Sequence, residues 1–106
     1  MSTLFYHGKT TDDRRFTIAG ILNHDSTAFK LGIAICSERE IFNRKTGRIK
    51  AGSRVLGSAK RGVITSPPIM NKERYYKDFV DVCKEFDGIV HSRELKKIFN
   101  LDNSAY

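Results

Sequence analysis

The sequence predicts an α+β domain, a small antiparallel sheet packed by a basic helix and by amphipathic helices toward the C-terminus. Three observations predict it. "RRFTIAGILNHD" and "TAFKLGIAICS" are apolar, β-branched runs separated by turn residues, the pattern of a hairpin. "EIFNRKTGRIKAGSRVL" and "NKERYYKDFVDVCKEF" instead space their apolar residues with the period of a helix. A chain of 106 residues supplies one core, hence one domain.

Taken in order, "LFYHGK" (4–9) reads as an edge strand and Phe16 to Leu22 as a more apolar one. Asn23-His24-Asp25-Ser26 turns the chain, and residues 27–37 return as the hairpin partner. Ser37-Glu38-Arg39-Glu40 places a glutamate three residues after a serine, a capping box that predicts a helix start. At 100° per residue, Ile41, Phe42, Ile49 and Leu56 share one arc with Gly52, the arc expected to face the sheet. Arg44, Arg48, Ala51 and Val55 form the neighbouring arc, and Lys50 and Arg54 point further away. Lys45 falls inside the apolar arc, from which its stem is expected to snorkel. Gly57 and Gly62 bracket the helix exit, and Arg61 to Ser66 reads as a further strand.

Pro67-Pro68 then denies both helix and central strand. The next helix is expected to bury Tyr75, Tyr76, Phe79, Val82, Cys83 and Phe86 and to stop at Gly88. Ser92 is the expected cap of a last short helix with Leu95, Ile98 and Phe99 inward.

Composition constrains function by charge. A net charge of +7 and a pI near 9.7 call for an anionic partner: a nucleotide, a nucleic acid or an acidic protein surface. The N-terminus has no apolar h-region and no window reaches the length of a membrane span, so a cytoplasmic protein is expected. Cys36 and Cys83 each sit within an apolar pattern and read as buried thiols. His7, His24 and His91 share no ligand spacing with them, so no metal or other cofactor is expected. The sequence carries no carboxylate pair in an apolar setting, no Gly-x-Ser-x-Gly elbow and no Walker A loop, which argues for binding over catalysis.

The stretch "FNRKTGRIKAGSR" carries that argument. Arg44 and Arg48 lie one turn apart, and a guanidinium grips phosphate oxygens with two parallel hydrogen bonds. Gly47, Gly52 and Gly57 each cost about 1 kcal/mol relative to alanine in a helix interior. Missing side chains let a ligand, a strand or a second subunit approach the backbone. The expectation is that the glycines clear space beside the arginines for a phosphate-bearing partner.

"LGIAICSEREIFNRKTGRIKAGSR", with Phe42, Lys45, Gly47, Arg48, Ala51, Gly52 and Arg54, resembles a pattern in small phage proteins, among them the anti-Thoeris sponges that sequester cyclic ADP-ribose isomers. The resemblance covers residues 16–60. It implies a small sheet with helices, assembly as a homodimer or higher oligomer, and a ligand pyrophosphate held by arginines with its base against an aromatic ring. Carried over, it makes Arg48 and Arg54, then Arg44 and Lys45, the ligand-binding candidates, and leaves the aromatic ring unassigned. The implied function is a phage anti-defence protein that sequesters a cyclic nucleotide in the host cytoplasm. The alternatives are a nucleic-acid-binding protein using the same basic face and an inhibitor that docks an acidic host protein. "FDGIVHSRELKKIFNL" resembles the first part of a helix-turn-helix, in keeping with the nucleic-acid alternative.

Overall fold

The computed structural model describes residues 3–23, 27–37, 40–57, 61–69 and 75–101. Strands β1 (Leu4–Lys9), β2 (Arg15–Leu22), β3 (Phe29–Ile35) and β4 (Val63–Thr65) form an antiparallel sheet in the order β1-β2-β3-β4. Helix α1 (Arg44–Leu56) lies between β3 and β4 in the chain, and α2 (Tyr75–Lys84) and α3 (Ser92–Ile98) follow β4. The predicted α+β class holds, as does each predicted strand, with β4 shorter than its apolar run.

Side chains alternate across a strand, so the register sorts the sheet into two faces. Phe16 opposite Ile35, and Ile18 opposite Ile33, share one face. That face joins Phe29, Leu31, Phe79, Cys83, Leu95 and Phe99 in the main core under α2 and α3. Phe29 and Phe79 meet edge to face at 5.6 Å. The opposite face presents Thr17, Ala19, Gly32 and Ala34, all small, and α1 lies on it through Ala51 and Val55. The molecule is thus three layers with a bulky core on one side and a thin one on the other.

The thin layer explains the glycines and reverses the expected orientation of α1. A Cβ on Gly32 would stand 2.8 Å from the Ala51 carbonyl oxygen and 3.0 Å from the Val55 nitrogen, so the helix backbone rests on the strand. A Cβ on Gly47 would overlap Thr17 Oγ1, whereas one on Gly52 would just reach the Phe5 ring at 3.8 Å. The space is filled by the sheet. The face of α1 that packs is therefore Gly47, Ala51 and Val55, and the arc expected to face inward does not: Ile41, Ile49 and Leu56 are 94%, 59% and 68% exposed.

The start of α1 also differs from expectation. Asn43, not Ser37, is the N-cap, its side chain accepting from the Thr46 N–H. Residues 40–43 remain extended or bent and so carry Phe42 over the sheet instead of into a first helical turn. Glu38 and Arg39 of the expected capping box lie outside the described residues. At the other end, Lys30 Nζ donates to the Gly57 carbonyl, a cation where the helix dipole favours one.

Beyond the sheet, Phe79 and Cys83 are buried as expected, Tyr75 and Phe86 are partly buried, and Tyr76 points outward at 59% exposure. Helix α2 ends ahead of Gly88, which adopts φ +72°. In α3, Leu95 and Phe99 are buried, whereas Ile98 is outward. His91 caps α3 by accepting from the Arg93 N–H. Ser92, the expected cap, instead donates to Asp12 through both its backbone N–H (2.8 Å) and its hydroxyl (2.5 Å). Tyr6 donates to Asp87 at 2.8 Å, and the same carboxylate accepts from the Lys9 N–H, tying β1 to the turn after α2. Burial, then that hydrogen bond, pushes the Tyr6 hydroxyl up to about 12. The turn at Asn23 is held by its side-chain oxygen, which accepts from Thr27 and Ala28 N–H groups. His24 lies outside the described residues.

Candidate functional site

The start of β2, the end of β3, residues 40–43 and one side of α1 enclose a cavity of about 210 Å³. Strand alternation brings Arg15 and Thr17 to the same face as Ala34, and Gly47 lines the cavity from the helix side. Glu40, Ile41 and Phe42 wall the cavity from the loop, and Thr46 and Lys50 from the helix.

Phe42, read from the sequence as a core residue, is only partly buried and organises this site. The Arg15 guanidinium carbon lies 4.6 Å from the centre of its ring, a cation–π contact. His7 meets the same ring edge-on at 5.7 Å. Arg15 Nε is buried with no hydrogen-bond partner among the described residues. A buried donor normally finds an acceptor, and an orphan costs about 1–3 kcal/mol, so this one marks a place where an acceptor is wanted.

The far wall is a polar pair. Lys50 Nζ lies 3.8 Å from Glu40 Oε2. Cys36, read from the sequence as a buried thiol, is only partly buried on the cavity wall, and its Sγ–H donates to the Glu40 carbonyl at 3.4 Å. Burial, and next the Glu40 charge, raises the Cys36 pKa, keeping it a thiol donor and not a thiolate.

On the other flank of α1, His7 Nδ1 shares a hydrogen bond of 2.8 Å with Thr17 Oγ1. Burial, followed by the charges of Arg44, Arg48 and Arg15, lowers the His7 pKa, so the imidazole is held neutral amid three guanidinium groups. Among the described residues no carboxylate pairs with Arg15, Arg44, Lys45 or Arg48. This cluster of cations has no protein counter-charge there.

The four residues singled out from sequence are therefore not one group. Arg44 and Arg48 stand together on the His7 flank, and Lys45 is exposed. Arg54 is drawn the other way: its guanidinium donates to the Ile33 carbonyl, its side chain packs against Gly62, and burial lowers its pKa. Arg15, His7, Glu40 and Lys50 were not among the sequence candidates. The parity of β2 was the available signal for Arg15, since it lies two residues before Thr17 on the face that small residues mark for helix packing. Lys50 was expected to point away, a consequence of rotating α1 to bury Ile49 and Leu56.

Among the described residues no group of three or more His, Cys, Asp or Glu side chains is arranged to hold a metal ion, and no helix is long and apolar enough to cross a membrane. No protein-family model, curated protein or solved structure matches the chain.

Proposed function

We propose that this protein binds a phosphate-bearing small molecule of the cyclic-nucleotide class, such as a cyclic ADP-ribose isomer, and sequesters it, so counteracting a host defence signal. The observation that carries the reading is the Arg15–Phe42 pair: a buried Nε without a hydrogen-bond partner among the described residues, beside an aromatic ring on the wall of a cavity, with Arg44 and Arg48 nearby and no carboxylate among the described residues to neutralise them. Phosphate oxygens supply the acceptors that the guanidinium groups lack. A cavity of about 210 Å³ exceeds the roughly 150 Å³ that encloses benzene, so it suits one ring system of the ligand, with the phosphates outside it. Phe42 is the ring against which a base rests. Binding without turnover follows from the absence of catalytic motifs in the sequence. The outward Ile49 and Leu56 on α1 are consistent with the homodimer that the resemblance implies.

The test is calorimetric titration of the wild type, Arg15→Ala and Arg48→Ala with cyclic ADP-ribose isomers and cyclic dinucleotides. Saturable 1:1 binding per chain by one of them, weakened at least tenfold by each substitution, is expected. Equal binding by Arg15→Ala and wild type overturns the site. A second reading rests on Arg44, Lys45 and Arg48, exposed and without a carboxylate partner among the described residues, which suit a nucleic-acid backbone, and it predicts polymer binding that is lost steeply with salt.

A further inference from the structure

We propose that the outer edge of β1 takes an extended peptide as a further strand of the sheet, one with acidic residues at alternate positions. The inference is independent of the nucleotide reading, although both use Arg44 and Arg48. Backbone parity identifies the edge. Thr10 N–H donates to the Arg14 carbonyl, continuing the register that sets Leu4, Tyr6 and Gly8 opposite Gly20, Ile18 and Phe16. Hydrogen-bonded pairs alternate with non-bonded ones along an antiparallel ladder, so Phe5, His7 and Lys9 turn their N–H and C=O groups away from β2. Lys9 is served there by the turn after α2. Its N–H donates to Asp87 Oδ1 at 2.9 Å, and its carbonyl accepts from the Gly88 N–H at 2.7 Å. The outward backbone groups of Phe5 and His7 have no such partner among the described residues. The opposite edge of the sheet is blunted, since β4 is three residues long and runs into Pro67-Pro68. From Leu4 to His7, β1 has none of the devices that blunt an edge: no proline, no bulge and no lysine.

The two flanks of the edge decide what the added strand carries, because its side chains alternate between the faces as those of β1 do. On one face, Phe5 and His7 lie on the side of α1. Arg48 and Arg44 stand one and two turns before Gly52, the helix residue nearest the Phe5 ring, and both act on His7. Among the described residues neither arginine pairs with a carboxylate. On the other face, Leu4 and Tyr6 are partly buried against the main core. The strand that fits therefore sets carboxylates on the α1 side and apolar, β-branched side chains on the other. A second copy adding its own β1 antiparallel would bring Arg44 and Arg48 of both chains to one face, cation against cation, which favours the acidic peptide.

The experiment follows amide hydrogen exchange of the wild type by NMR at pH 7, with a capped heptapeptide alternating glutamate and valine as the probe. In the free protein the Phe5 and His7 amides are expected to exchange about tenfold or more faster than those of Tyr6 and Gly8, which are paired with β2. Saturating peptide is expected to slow Phe5 and His7 by about tenfold or more, with Tyr6 and Gly8 little changed. A capped lysine–valine heptapeptide at the same concentration is expected to slow neither. Phe5 and His7 exchange that the glutamate–valine peptide leaves unmoved overturns the proposal. Slow exchange of both amides in the free protein overturns it as well, because the edge is then already covered by this chain or by a second copy. Equal protection by the lysine–valine peptide overturns the choice of an acidic partner.

Discussion

Replacing single glycines with alanine separates two explanations of a glycine-rich basic helix, room for a ligand or room for the sheet. At Gly52 an added Cβ meets only the Phe5 ring at 3.8 Å, an ordinary contact, so the helix propensity of alanine is realised and stability rises by about 0.5–1 kcal/mol. At Gly47 the same propensity is opposed. The new Cβ would overlap Thr17, and turning the Thr17 hydroxyl away sacrifices its hydrogen bond to His7, about 1 kcal/mol, with Thr17 Cβ still only 3.1 Å distant. With overpacking adding about 1–3 kcal/mol and the helix propensity of alanine offsetting about 0.5–1, Gly47→Ala is expected to destabilise by about 1–3 kcal/mol net. Gly32→Ala meets backbone atoms at 2.8 and 3.0 Å that cannot turn aside, and about 2 kcal/mol is expected there. Urea unfolding of the three variants, with m-values compared to confirm two-state behaviour, reads these differences. Equal stabilisation by Gly47→Ala and Gly52→Ala would refute the close packing of α1 on β2.

Other consequences concern charge. Hydrogen bonds from Ser92 and Thr10 overcome the effect of burial on Asp12 and hold its carboxyl well below the usual carboxylate range. A depressed folded-state pKa means that this stabilisation is present above the ordinary value of 3.8 and is lost as pH falls below it. Asp12→Asn is therefore expected to destabilise by about 2 kcal/mol at pH 7, the gap narrowing in unfolding curves taken at progressively lower pH. For His7 the depressed pKa means that the unfolded chain takes up the proton more readily, so its contribution is present above pH 6.5 and declines as pH drops through that value. An anion bound among Arg15, Arg44 and Arg48 removes part of the repulsion, and the His7 imidazole resonances should then titrate at a higher pH than in the free protein. An unchanged midpoint would separate His7 from the bound phosphate. Arg54→Ala is expected to lower thermal stability through loss of the hydrogen bond to Ile33, a change that a melting curve registers without any ligand.

The sheet was legible because its signal is alternation: Phe16, Ile18 and the residues opposite them differ from Thr17 and Ala19 in size as well as polarity. The orientation of α1 was not, because large apolar residues were expected to mark the buried face. Here the sheet face beneath the helix is itself small, and only glycine, alanine and valine fit against it, so Ile49 and Leu56 are displaced to the outside. That rotation also decided which cations converge. Arg44 and Arg48 were recognisable from their spacing, whereas Arg15, beside Arg14, Asp12 and Asp13, carries no spacing that singles it out. Its role depends on Phe42, which comes near it only because the helix begins at Arg44, capped by Asn43 instead of Ser37. No local pattern encodes that meeting of β2 with the loop before α1.

The most direct test of the central claim is a thermal-shift titration with cyclic ADP-ribose isomers and cyclic dinucleotides beside a single-stranded oligonucleotide, at low and high salt. The account predicts saturable stabilisation by a small cyclic nucleotide that persists at high salt, because few charges are neutralised. Stabilisation by the oligonucleotide alone, vanishing as salt is raised, would contradict it and assign the basic face of α1 to a nucleic-acid backbone.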